Sequence, residues 1–134
     1  MKAILYADGA ARGNPGPAGA GAVLLDESGR VVAEVWRGLG HATNNVAEYS
    51  ALILGLEEAL RRGVDDLEVR MDSQLVVRQM QGLWRIKHAG LKPLALQAGA
   101  LLARFPKRRI DHVPRGENSL ADALANRGAD EGVR

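Results

Sequence analysis

The apolar positions of the chain change period several times, and each change marks an element. From Lys2 to Asp8 they alternate, with Ile4, Tyr6 and Asp8 on one face and Ala3, Leu5 and Ala7 on the other. This predicts a first strand that is central in its sheet and covered on both sides. Gly21–Leu25 and Val31–Trp36 read as two further strands, joined by the turn Asp26-Glu27-Ser28-Gly29 into an antiparallel meander. From Thr43 the spacing becomes helical: Val46, Tyr49, Ile53, Leu56 and Leu60 form one stripe, Leu52, Gly55 and Ala59 a second, and Gly63 closes the helix. Glu48 is the exception, a carboxylate in the first turn of a helix whose wide apolar arc predicts burial. Its local explanation is a cap, with Asn45 at the N-cap and Glu48 reaching back from three residues on.

Further along, Leu67, Val69 and Met71 alternate with Glu68, Arg70 and Asp72, a strand with one wet face that ends at Asp72. Ser73–Met80 predicts a short helix and Leu91–Phe105 a longer one, with Pro93 tolerated in its first turn. The last strand is expected at Ile110–Val113, after the cluster Lys107-Arg108-Arg109 and before Pro114. Asn118-Ser119 opens a final helix whose core face is read as Leu120, Leu124, Ala121 and Ala125. Asp122 lies off that face, and Ser119 to Asp122 has capping-box spacing. Residues 130–134 are expected to form a flexible tail.

The stretch Gly9–Gly21, rich in glycine and containing Pro15 and Pro17, lacks the Gly-Lys-Ser/Thr ending of a phosphate loop, and no helix pattern follows it. It reads as a wide turn into the second strand. Its glycines would let backbone lie close to a sugar-phosphate chain, and Asn14 is the side chain suited to touch one. Gly82–Gly90 sets Trp84 among Arg85 and Lys87, which suits a nucleic-acid backbone. A solvated connection with Trp84 packed on the core fits the same residues.

The element order, three strands, helix, strand, helices, strand, helix, specifies an α/β domain with a mixed sheet over residues 1–134. Composition narrows its habitat more than its task. With 46% hydrophobic and 25% charged residues the chain is ordinary globular protein, and no apolar run is long enough to span a bilayer. Lys2 and Asp8 stand where a signal peptide needs an apolar core. The absence of cysteine excludes disulfides and thiolate metal sites, and fits a cytoplasmic location. A formal charge of only +2 leaves any nucleic-acid contact to local clusters.

If the first strand pairs in parallel with Leu67–Met71, Asp8 and Asp72 come side by side at the strand C-termini, where ligands of open α/β sheets gather. Glu48 overhangs the same edge and Asp122 closes the ring. Four local explanations place these carboxylates in four unrelated sites, whereas this topology places them in one. Crowded carboxylates raise one another's pKa unless a cation is present. An oxygen-only set suits Mg²⁺ first and Mn²⁺ second. Two such ions about 3.5–4 Å apart form the clamp used for in-line displacement at phosphate.

Four blocks, Tyr6-Ala7-Asp8-Gly9-Ala10, Thr43-Asn44-Asn45-Val46-Ala47-Glu48, Met71-Asp72-Ser73-Gln74 and Asn118-Ser119-Leu120-Ala121-Asp122-Ala123-Leu124-Ala125, together resemble type 1 ribonuclease H, in that family's order. The resemblance implies a five-stranded mixed sheet, three antiparallel strands then two parallel, flanked by helices. It implies hydrolysis of the RNA strand of an RNA/DNA hybrid with two metal ions, leaving 5′-phosphate and 3′-hydroxyl ends. Asp8, Glu48, Asp72 and Asp122 take the positions of the metal ligands, and Glu48 also that of a contact to the ribose 2′-hydroxyl. Asn14, Asn44 and Gln74 would contact the minor groove of the hybrid, and Thr43 a phosphate of the DNA strand. The matched blocks put Gly9, Asn45 and Ser73 on the substrate side as well. A monomer is expected.

Two departures from that family stand out. The histidine carried by many bacterial members on the loop before the last helix is missing, because the loop is only Pro114-Arg115-Gly116-Glu117. His112 lies inside the expected strand, so Arg115 is the candidate to stabilise developing charge, although a guanidinium is no proton shuttle at neutral pH. The basic handle is reduced to Trp84–His88, leaving Trp84 and Lys87 as candidate substrate contacts. Two alternatives to the hybrid nuclease are a binding module without turnover and a nuclease that also acts on double-stranded RNA.

Overall fold

The computed structural model describes residues 1–131, and its backbone follows the expected order of elements. Strands β1 (Lys2–Ala11), β2 (Gly16–Asp26) and β3 (Val31–Ala42) form the antiparallel meander. Helix α1 (Asn44–Arg61) crosses to β4 (Asp66–Met71), which runs parallel to β1 with Ala7 opposite Met71. Helices α2 (Gln74–Met80) and α3 (Lys92–Leu102) then lead to β5 (Lys107–His112), parallel to β4. A single 3₁₀ turn (Arg115–Glu117) precedes α4 (Ser119–Glu131). The five strands are ordered β3-β2-β1-β4-β5, so β1 is the middle strand.

Core and caps follow from the patterns. Leu5, Leu24, Leu52, Leu56, Leu67, Met71 and Phe105 are shut off from solvent between the sheet and the helices. Each such side chain contributes about 1.5–3 kcal/mol by leaving water. Helix α1 stops where Gly63 takes φ +74°, with Gly63 N–H on the Leu60 carbonyl and Val64 N–H on that of Ala59. Paired bonds of this kind satisfy carbonyls that the helix end would leave free.

Four expectations are corrected. The glycine-rich stretch is not a wide turn: β1 runs to Ala11, β2 begins at Gly16, and Arg12 N–H closes the hairpin on the Pro17 carbonyl at 2.8 Å. Gly13 sits in the turn at φ +79°, while Gly9, Gly19 and Gly21 are strand residues that let helices lie on the sheet. A Cβ on Gly19 would come within 2.3 Å of Ala129 N, and one on Gly21 within 2.5 Å of Ala125 N. The core face of α4 is accordingly Ala121, Ala125, Gly128 and Ala129, while Leu120 is 56% exposed. Lys107-Arg108-Arg109 opens β5 instead of preceding it, because parallel pairing extends down to Lys107 opposite Asp66. Asp130 and Glu131, expected in a tail, complete α4, and the remainder of that expected tail lies outside the described residues. No described helix is long and apolar enough to cross a membrane.

Candidate active site

The site exists because β1 outruns β4. Pairing ends at Ala7–Met71, so Asp8 and Asp72 emerge side by side just where β4 stops. Beyond that point the free edge of β1 receives α1. A Cβ on Gly9 would sit 2.2 Å from the Ala47 carbonyl carbon, so only glycine admits the helix. Glu48 thereby reaches the strand, and Gly9 N–H donates to its Oε1 at 2.5 Å. Asp8, Glu48 and Asp72 each offer a carboxylate oxygen, all within 4.8 Å of one another. Asp122, in the first turn of α4, lies within hydrogen-bonding reach of Asp8.

The electrostatics of this arrangement are unfavourable for the protein alone. Asp8 is 5% exposed and Glu48 3%. Burial, then the Glu48 charge and the other acidic neighbours, pushes the Asp8 carboxyl far above the usual carboxylate range. Burial also raises Glu48, against the opposing hydrogen bonds from Asp8, Gly9 N–H and Ser73. A hard divalent cation fits this donor set, since it takes oxygen ligands and offsets the mutual repulsion. The three clustered carboxylates can hold such an ion.

A cleft of about 250 Å³ opens over these groups, lined by Asp8, Gly9, Asn44, Glu48, Asp72, Ser73 and Arg115. The cap proposed for α1 is corrected. Thr43, in extended conformation, accepts Val46 N–H on Oγ1 at 3.2 Å, which frees Asn45 and Glu48 from capping. Asn44 N–H donates instead to Asn14 Oδ1 at 3.0 Å, so the β1–β2 turn is tied to the start of α1. Thr43, Asn44 and Asn45 are all exposed around the cleft's α1 side. Ser73 caps α2, and Gln74 is exposed in its first turn. Trp84, 43% exposed, is not packed into the core, and Lys87 is exposed beside it. Both lie on the connection from α2 to α3 and do not line the cleft.

One residue escaped the sequence reading. Asn118, read only as a helix opener, is 1% exposed and donates through Nδ2 to the Ala7 carbonyl at 2.9 Å and to Asp72 Oδ1 at 3.3 Å. It joins the ends of β1 and β4 behind the carboxylates. Its position four residues before Asp122 was the available signal, but periodicity alone does not separate such a bridge from a cap.

Comparison with known proteins agrees with this geometry. A family profile described as reverse transcriptase-like matches residues 6–128. The chain is 50% identical to the ribonuclease HI of Halobacterium salinarum, over 94% of the chain and 63% of that protein. It is 49% identical to the bifunctional protein Rv2228c of Mycobacterium tuberculosis, over 97% of the chain, and spans only about a third (36%) of that relative's length. A ribonuclease H of Pseudomonas fluorescens is 35% identical across 95% of the chain and 91% of its own length. Among solved structures, the N-terminal RNase H domain of Rv2228c superposes with a TM-score of 0.95 at 48% identity, covering 98% of this chain and 95% of that one. LC11-RNase H1 in complex with RNA/DNA hybrid gives 0.92 at 44%, covering 98% and 99%. With its carboxylates gathered at one sheet edge and nearly all of its length shared with these proteins, the chain belongs to the ribonuclease H family.

Proposed function

We propose that the chain is an endoribonuclease that hydrolyses the RNA strand of RNA/DNA hybrids with two divalent cations, Mg²⁺ or in its place Mn²⁺, leaving 5′-phosphate and 3′-hydroxyl ends. The observation that carries this reading is the convergence of Asp8, Glu48 and Asp72, with Asp122 beside Asp8, from elements far apart in sequence. Support for the substrate comes from the 44% identical relative solved with an RNA/DNA hybrid. Cations bound here supply the positive charge that activates a water and stabilises the departing 3′ oxygen.

The chain's own residues orient the duplex around that centre. Glu48, held at Oε1 by Gly9 N–H, presents a carboxylate to the cleft that can accept from a ribose 2′-hydroxyl, the group that distinguishes RNA from DNA. Asn44 and Gln74 are exposed amides at two helix starts, placed to donate into the minor groove. Asn14 has Oδ1 committed to Asn44, which leaves Nδ2 to donate to sugar or phosphate oxygen. The Thr43 hydroxyl is placed for a phosphate of the DNA strand. Arg115 lines the cleft, where its fixed charge stabilises the phosphate during reaction. Gly9 and Ser73 complete the near wall, the exposed Asn45 lies beside it at the start of α1, and Trp84 and Lys87 belong to a more distant backbone contact.

The test is a cleavage assay with labelled hybrid, duplex RNA and duplex DNA, each with Mg²⁺ and with Mn²⁺. Wild type should cut the RNA of the hybrid, and Asp72→Asn should bind it without cutting. A wild type that binds but never cuts in either metal would make the chain a binding module. Cleavage of duplex RNA at a comparable rate would widen the substrate class.

A further inference from the structure

Behind the site lies a polar pair in an otherwise apolar region. Tyr49, next to Glu48 on α1, is fully buried, and its hydroxyl donates to Gln79 Oε1 on α2 at 2.5 Å. Gln79 is 7% exposed. Burial pushes the Tyr49 phenol up to about 12, so it stays a donor. With Oε1 occupied, the Gln79 amide is oriented, and Nε2 donates to the Arg85 carbonyl at 3.4 Å.

That contact falls on a segment with few others. Leu83 and Trp84 N–H groups return to the Arg78 carbonyl, and Leu91 N–H to that of His88. Among the described residues, the Gln79–Arg85 bond is the one hydrogen bond from the body of the protein to Arg85–Lys87. Ile86, half-buried against the core, is the second anchor. Arg85 and Lys87 flank it, both exposed.

We infer that Tyr49 and Gln79 are positioning residues for substrate, holding the Arg85–Lys87 segment so that its cations meet the phosphate backbone of the bound duplex. This rests on the hybrid-nuclease reading above. A satisfied buried pair adds little net stability over an apolar pair of the same shape, so its consequence lies in orientation.

The decisive variant is the double replacement Tyr49→Phe with Gln79→Leu, which orphans neither member of the buried pair and releases only the carbonyl of the exposed Arg85. Its Tm should stay close to that of wild type, its kcat within about twofold, and its KM for hybrid should rise about fivefold, the loss of one hydrogen-bond-scale contact. Arg85→Ala should cost less affinity in that background than in wild type, as coupled residues do. If the double variant is poorly folded, the single Tyr49→Phe, which keeps the ring, is read by the same KM-against-kcat split. Unchanged KM, or an Arg85→Ala effect that simply adds, overturns the inference while leaving the nuclease reading intact. A wild type that neither binds nor cuts hybrid removes that reading and the inference with it.

Discussion

Glu48 and Asp8 share a conflict between burial and charge, and it has a measurable consequence. Both carboxyls are raised in the fold, chiefly by burial. A raised folded-state value means that the native state holds protons the unfolded chain has released. In metal-free protein the two groups are therefore least harmful below about pH 4, and stability falls as pH rises from there through their folded values. Metal-free Tm should be several degrees lower at pH 8 than at pH 5.5, and Mg²⁺ or Mn²⁺ should restore more at the higher pH. Asp8→Asn should raise the metal-free Tm at pH 8 by at least about 3 °C and flatten its slope with pH; thermal melts with and without EDTA check both. Asn118→Ala removes the bridge from Ala7 to Asp72, so it should cost about 1–3 kcal/mol in denaturant unfolding and lower turnover as Asp72 loosens. These roles differ in how far the sequence showed them. The spacing of Asn45 and Glu48 satisfied a capping rule, but Thr43 supplied the cap, and nothing local distinguishes a carboxylate facing its own helix from one facing a neighbouring strand.

At the scale of the element, strands were easier to place than to delimit. Alternation located β1 and β4, turns and a proline stop located the other three, and the parallel pairing of β1 with β4, taken as a condition for bringing Asp8 and Asp72 together, is what the sheet adopts. Alternation did not show that glycines at 9, 16, 19 and 21 belong to strands, because glycine has no side chain whose burial could alternate. The purpose of Gly9, Gly19 and Gly21 appears only against the helices: α1 lies on Gly9, α4 presents Ala121, Ala125, Gly128 and Ala129 to the other two, and small faces on both sides let the backbones approach. The same closeness misled the reading of α4, where Leu120 looks outward and Leu124 is only half-buried. Gly21→Ala tests the packing, since the new methyl would meet Ala125 N at 2.5 Å and Leu124 Cβ at 2.7 Å. It should destabilise by about 1–3 kcal/mol, the usual cost of overpacking. Because α4 must shift to accept it, Asp122 moves relative to Asp8, and turnover measured well below the melting transition should fall too. Loss of stability with full turnover would show that Asp122 tolerates displacement.

For the whole molecule, a net charge of +2 says little, and the placement of charge along the sheet says more. The carboxylates occupy the C-terminal end of β4. Lys107 pairs with Asp66 at its start, some six residues away, which is roughly 20 Å of strand. The Lys107–Arg109 cluster is therefore at the wrong end of the sheet for a duplex centred on Asp72. Part of its charge is also spent locally: Arg109 pairs with Asp111 at 2.6 Å, and Arg108 donates to the Phe105 carbonyl. Its role on an edge strand is to discourage pairing with another chain, as charged edges do. Arg85 and Lys87 have no such partners among the described ion pairs, and they stand on the connection that the Gln79 amide holds. The two cationic groups should then separate in a salt titration of hybrid binding without metal. Each phosphate-facing cation removed lowers the log–log slope by about 0.7–0.9. Arg85→Ala with Lys87→Ala should flatten it by nearly twice that, whereas alanine at Lys107, Arg108 and Arg109 should leave slope and affinity unchanged. A flatter slope for the β5 triple variant would mean that the duplex extends across the sheet to its far edge.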